Sequence, residues 1–166
     1  MTNNDILRRI RYIFDFNDAK MVAIFGLMGH QVSREQINCW LKKDDDPDYQ
    51  KCNDAHLAIF LNGLINDKRG KKEGPQREPE KRLTNNIIFM KLKIALNLKA
   101  EDVLDIMNLA EFQLSKHELS AFFRKPEHKH YRDCKDQILR NFLQGVQLKY
   151  RNNDELKSGF KWKQTP

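Results

Sequence analysis

The sequence predicts an all-α fold: two tandem four-helix units related by internal duplication, about eight helices in all. Three observations carry this reading. Apolar residues recur at helical spacing, no run alternates apolar and polar residues as a half-buried strand does, and the chain repeats itself at a constant offset. Shifted by 82 residues, segment 3–69 aligns with 85–151 without a gap, and 16 of the 67 positions are identical. The identities run through the whole unit and include Asn3/Asn85, Asn4/Asn86, Ile24/Ile106, Ser33/Ser115, Tyr49/Tyr131, Cys52/Cys134, Asp54/Asp136, Phe60/Phe142 and Gly63/Gly145. Other positions keep their character, as Ile37/Leu119 and Trp40/Phe122 do. A gapless match of this length marks one unit copied in tandem.

Each unit resolves into four helical stripes. The first carries Ile6, Leu7, Ile10, Ile13 and Phe14, with Asn3 or Asn4 as its cap. The second carries Met21, Ile24, Phe25 and Met28. The third places Ile37, Trp40 and Leu41 at i, i+3 and i+4. Ser33 with Gln36 before it has the pattern of a capping box, in which a hydroxyl and a side-chain amide each satisfy a free backbone N–H, and Val32 with Ile37 fits a hydrophobic staple. Ser115 with Glu118, and Leu114 with Leu119, repeat both devices. The fourth stripe carries Leu57, Phe60, Leu61 and Leu64, with Asp54 as its expected N-cap, Lys68 and Arg69 in its last turn, and Gly70 closing it. Gly63 and Gly145 fall inside the fourth helices, where glycine costs about 0.5–1 kcal/mol relative to alanine. Their recurrence predicts that a second helix backbone packs closely against each.

The expected organisation is a first helical repeat over 1–70, a charged linker over 71–84, a second repeat over 85–151 and a basic tail over 152–166. Gly70, Gly74, Pro75 and Pro79 with their charged neighbours mark the linker as solvated. The net charge of +7 is uneven: zero over 1–70, +2 in the linker, +4 over the second repeat and +1 in the tail. The basic excess could favour a polyanion. The tail interleaves Lys157, Phe160, Lys161, Trp162 and Lys163. No stretch approaches the roughly 18 uncharged apolar residues that a membrane span needs. Charges among the first apolar residues exclude a signal-peptide core. The expected compartment is the cytoplasm, with no membrane association. Three scattered cysteines without a CxxC fit a reducing compartment.

The chain lacks a phosphate-binding P-loop, GxGxxG, GxSxG, HExxH or paired CxxC, so no catalytic, cofactor-binding or metal-ligating residue is assigned and no cofactor is expected. Asp44, Asp46 and Asp48 alternate like the start of a calcium loop, but Tyr49 and Ala55 stand where that loop needs Gly and Glu. His128, His130 and Cys134 fall near one another, although the matching positions in the first repeat are Asp46, Asp48 and Cys52. Cys52 and Cys134 read as small buried thiols, and His30 and His117 as lone histidines. The second and third helices, joined across Gly29, outwardly resemble a helix-turn-helix. On that reading Lys116, Ser120, Arg124 and Lys125 in the second repeat, and Arg34, Asn38, Lys42 and Lys43 in the first, are candidate contacts to nucleic acid or to a partner. The acidic run Asp44–Asp48 opposes phosphate binding in the first repeat.

The segments NNDILRRIRYIF, WLKKDDDPDYQKC, FLNGLINDKRGKK, NNIIFMKLKIAL and YRDCKDQILRNFLQG together resemble the YehS-like proteins of bacteria, which carry a tandem domain of unknown function. The resemblance covers about residues 1–150. It implies a cytosolic, duplicated helical protein and supplies no catalytic or binding residue.

The sequence therefore points first to a non-catalytic helical interaction module with a protein partner. A nucleic-acid-binding regulator using the basic second repeat is the alternative, and an enzyme with an unrecognised site is the third reading, because acid–base chemistry needs only two positioned side chains.

Overall fold

A computed structural model of the chain describes residues 1–152. The described residues form eight α-helices and no strand, as the apolar spacing predicts: α1 (Asn3–Phe14), α2 (Asp18–Gly26), α3 (Arg34–Leu41), α4 (Asp54–Arg69), α5 (Asn85–Ala95), α6 (Ala100–Leu109), α7 (Lys116–Phe122) and α8 (Asp136–Gln147). A π-type turn, Leu148–Asn152, continues α8. The aromatic and basic positions of the tail lie outside the described residues.

The duplication is visible in the backbone. The left-handed residue after the first helix of each repeat is Asp15 (φ 53°) in one and Asn97 (φ 54°) in the other; after the second helix it is Gly29 (φ 71°) and Glu111 (φ 57°). Loop hydrogen bonds recur at matching positions. Gln50 N–H donates to Cys39 O and Arg132 N–H to Ala121 O, while His30 N–H donates to Phe25 O and Phe112 N–H to Met107 O.

The chain forms two compact units. Among the described residues, unit 1 comprises Met1–Tyr12 and Phe16–Leu98, and unit 2 comprises Ile13–Asp15 and 99–152. In unit 1, α2 packs on α3 and α4, and α5 packs on α4. Its core gathers Ile6, Leu7 and Ile10 from α1, Met21, Ile24 and Phe25 from α2, Ile37 and Trp40 from α3, Leu57, Phe60, Leu61 and Leu64 from α4, and Ile88, Phe89 and Leu92 from α5. In unit 2, α6 packs on α7 and α8 around Val103, Ile106, Met107, Leu119, Phe122, Leu139, Phe142 and Leu143. Thus the first helix of the second repeat, α5, completes unit 1.

Both helix-interior glycines sit under a facing carbonyl, as their recurrence predicts. A Cβ at Gly63 would overlap Ile24 O and stand 2.9 Å from Ile24 Cγ2. At Gly145 it would overlap Ile106 O and stand 2.7 Å from Ile106 Cγ2. The obstacle is backbone, which side-chain rotation cannot relieve.

Three capping assignments need correction. The cap of α1 is Thr2, whose Oγ1 accepts from Asp5 N–H at 3.0 Å. Its counterpart Thr84 caps α5, accepting from Ile87 N–H. Asn3 and Asn4 serve the tertiary fold instead. Asn4, 1% exposed, donates to Trp40 O (2.9 Å) and Gln50 O (2.8 Å) and accepts from Cys52 N–H (3.0 Å). Asn3 donates to Cys52 O and to the Asp54 carboxylate. The cap of α4 is Asn53, accepting from His56 N–H at 2.8 Å, so Asp54 is free to bind Asn3 and Leu83 N–H. At α3, Ser33 accepts from Gln36 N–H, but the Gln36 side chain reaches Gln50, so only half of that box forms; Ser115 and Glu118 complete theirs.

The segment between α4 and α5 exposes most of its charges, yet unit 1 anchors it at Gln76, Glu80 and Leu83. Asn66 Nδ2 donates to Gln76 Oε1 at 3.1 Å. Lys91, 6% exposed, pairs with Glu80 at 3.0 Å and donates to Asn62 Oδ1 at 2.6 Å. Burial pushes the Lys91 ammonium down in pKa, and Glu80 opposes that shift.

Two predictions follow from this packing. Gly63→Ala and Gly145→Ala each lower unfolding free energy in urea by about 2–3 kcal/mol, whereas Gly26→Ala, with nothing near the new methyl group, leaves it unchanged or slightly raised. Equal effects at all three glycines would contradict the close approach. Asn4→Ala strands Cys52 N–H and two carbonyls in the interior, and costs about 3 kcal/mol in the same assay.

Candidate binding cleft

In unit 1 the turn after α2, with Gly29 left-handed, folds His30 back onto Phe25, whose ring centroid lies 6.1 Å away. Trp40 is buried at the end of α3, with ring centroids 5.5 Å from Phe25 and 4.8 Å from His56. His56 lies in the first turn of α4, fixed by the Asn53 cap, and its ring is 5.4 Å from His30. The rings Phe60, Phe25, Trp40, His56 and His30 therefore form a continuous series from core to surface. The incoming loop is set by Gln50 N–H on Cys39 O and by Asn4 on both Gln50 O and Cys52 N–H, which fixes the backbone on either side of Lys51.

These elements enclose an open cleft of about 400 Å³. His30, His56 and Trp40, whose rings adjoin, are part of its lining. Gln31, Val32, Ser33, Gln36, Gln50, Lys51 and Asn53 complete it. Ser33 and Asn53 are the caps of α3 and α4, so both helices begin at the cleft and bring the positive ends of their dipoles to it. No carboxylate lines it; its titratable groups are His30, Lys51 and His56. Burial, and then the neighbouring His30, hold the His56 imidazole below its ordinary pKa. Across the rim Gln36 Nε2 donates to Gln50 Oε1 at 2.7 Å.

The second repeat has different chemistry at the matching positions. Phe112 and Ile138 stand where the histidines are, Asp133 replaces Lys51, and Lys135 replaces Asn53. The Gln36–Gln50 amide pair becomes an ion pair, Glu118 with Arg132 at 3.7 Å. A neutral hydrogen-bonded pair is thus replaced by two opposite charges.

None of the candidate nucleic-acid or partner contacts read from the sequence lines this cleft, whereas His30, read there as a lone histidine, does. Arg34, Asn38 and Lys43 are exposed on or beside α3, and Lys42 pairs with Asp46 at 3.9 Å. On α7, Lys116 pairs with Glu101 at 3.1 Å and the Ser120 hydroxyl donates to His117 O at 2.8 Å; Arg124 is half-buried and Lys125 exposed. His128 and His130 are exposed with rings 5.6 Å apart. Among the described residues no group of three or more His, Cys, Asp or Glu side chains could hold a metal. Cys52 and Cys134 are buried, and burial followed by Asp54 or Asp136 pushes each thiol up to about 12. Both remain protonated at neutral pH, as packing residues do.

The fold and this cleft define a duplicated all-α protein whose two repeats share a scaffold and differ in surface chemistry. The chain belongs to the family described as "Protein of unknown function (DUF1456)", which matches residues 3–70 and 85–152. It is similar to "Uncharacterized protein YehS" of Escherichia coli (strain K12), at 47% identity over 147 residues, 88% of this chain and 94% of that protein. No solved structure matches. The resemblance read from the sequence and the tandem duplication are both borne out. Among the described residues no helix is long and apolar enough to cross a membrane.

His56 has a directional pH signature. Its pKa is lower folded than unfolded, so below about pH 6.5 the unfolded chain takes up the proton first. The neutral side chain's stability is complete above that pH and is lost as pH falls towards the folded pKa. Urea midpoints measured at pH 7.5 and 5.5 are expected to differ less in His56→Gln than in the parent protein. An identical drop would remove His56 from the account.

Proposed function

We propose that the protein is a non-catalytic helical interaction module and that it recognises a protein partner through the cleft of unit 1. The observation that carries this is the asymmetry between the repeats. At matching positions one offers amides and half-buried imidazoles around an open cleft, and the other offers apolar side chains at the histidine positions and an exposed ion pair in place of the amide pair. Amide, hydroxyl and imidazole groups supply the donors and acceptors that a peptide backbone and polar side chains need, beside a rigid aromatic base. The eight candidate contacts read from the sequence lie on or beside α3 and α7 and do not line this cleft, and Lys116 pairs with Glu101 at 3.1 Å.

A photo-crosslinking amino acid placed at Gln31, and separately at its counterpart Gln113, tests this in cells. The expected result is a discrete protein adduct from position 31 alone. It should re-form with the purified partner and be lost when His30→Phe and His56→Ile give the cleft the second repeat's side chains. Equal adducts from both positions, or crosslinking only to nucleic acid, would overturn the proposal.

A further inference from the structure

The strongest feature of the cleft that protein recognition alone does not explain is its charge. Three titratable side chains line it, all of them bases, while 23 acidic residues are distributed over the chain. Two acids adjoin lining residues in sequence, and neither lines the cleft: Glu35, beside Gln36, is exposed, and Asp54, beside Asn53, is held by Asn3 and by Leu83 N–H. The acidic Asp44–Asp48 turn folds on itself through Asp48 N–H on Asp46, and Asp46 also pairs with Lys42. The two imidazoles are within 5.4 Å centroid to centroid, so protonating both brings like charges together unless an anion lies between or beside them.

We infer that the cleft seats a carboxylate: an Asp or Glu side chain of an acidic partner segment, held by the His30–His56 pair and Lys51. This deepens the reading of the cleft as a protein-recognition site and rests on it. The groups facing the imidazole pair are Trp40 and Gln36 from α3, Gln50 and Lys51 from the loop, and Asn53 from α4. Of these only Lys51 is charged, and it also attracts an anion. The neighbouring amides of Gln31 and Asn53 can donate to a carboxylate oxygen without a change of charge. Binding a carboxylate favours the protonated imidazoles, so affinity rises as pH falls, and each proton taken up on binding contributes up to a tenfold gain per pH unit. Nothing equivalent is built in the second repeat, where Asp133 occupies the lysine position and Phe112 and Ile138 the histidine positions.

The test uses the full chain and a fluorescein-labelled hexaglutamate peptide, with hexaglutamine as the neutral control. Anisotropy is read at pH 6.0 and 7.5 in moderate salt. Hexaglutamate is expected to bind at least tenfold more tightly at pH 6.0, and hexaglutamine at least tenfold more weakly than hexaglutamate. The pair His30→Phe with His56→Ile abolishes the pH dependence, and Lys51→Gln, an exposed change that leaves the fold intact, weakens binding at both pH values. His128→Gln with His130→Gln leaves the affinity and its pH dependence unchanged. Equal binding of both peptides, or a pH response that survives loss of the cleft histidines, overturns the inference. So does displacement of hexaglutamate by inorganic phosphate at equal concentration. If hexaglutamate fails while the position-31 adduct still forms, the carboxylate assignment alone is wrong; if both fail, the recognition site itself is misplaced.

Discussion

The close approach of α2 to α4 at Gly63 is the constraint on which unit 1 depends. The Ile24 carbonyl occupies the space where any other residue at position 63 would carry its Cβ. Helix residues three, four and seven apart share a face, so His56, Phe60 and Gly63 lie along one line of α4. Seating Gly63 on Ile24 therefore brings Phe60 against Phe25, with ring centroids 5.5 Å apart, and carries His56 to Trp40 one turn further towards the N-terminus. The cleft is a consequence of that seating. Gly145 on Ile106 gives α8 and α6 the same relation in unit 2, with Phe142 at the position of Phe60 and no histidine one turn beyond.

A second constraint is polar. The loop from α3 to α4 has no regular secondary structure, and its backbone groups need partners. Asn4 supplies them from α1, taking Trp40 O, Gln50 O and Cys52 N–H with one amide. An amide is suited to this because it both donates and accepts and stays neutral at every accessible pH. The buried polar groups of unit 1 thus fix a loop, and the loop fixes Gln50 and Lys51 at the rim of the cleft. Lys91 does comparable work for the inter-repeat segment, with the added requirement that Glu80 remain beside it to balance a buried charge.

The helices were legible because they depend on local periodicity, and the glycine contacts because a residue that weakens a helix interior recurs in both copies. The caps of α1 and α4 were misassigned for one reason: Asn3, Asn4, Asn53 and Asp54 are all good capping residues, and sequence does not say which of several adjacent candidates a tertiary contact will claim. Thr2 and Thr84, one position outside the aligned segment, carried the missing signal. The cleft was illegible because His30 and His56 are 26 residues apart in sequence and meet only through packing. His30 reads in the sequence as a lone histidine, and no motif marks His56.

Duplication makes the two kinds of position separable. Positions that hold the scaffold are the ones the copies share: Asn4 and Asn86, Ser33 and Ser115, Cys52 and Cys134, Gly63 and Gly145. Positions that line the cleft include many that the copies do not share, among them His30, Gln36, Trp40, Gln50, Lys51, Asn53 and His56. If the cleft side chains were needed for folding, their replacements would have to make equivalent contacts, and a Glu–Arg ion pair is not equivalent to two amides in hydrogen-bonding pattern or in charge. Yet the second repeat keeps the same loop hydrogen bonds and the same left-handed turn positions with those replacements in place. Trp40 in the core and Ser33 and Asn53 as helix caps serve the fold as well as the cleft, whereas the side chains at positions 30, 36, 50, 51 and 56 change character between the copies while the loop pattern stays the same.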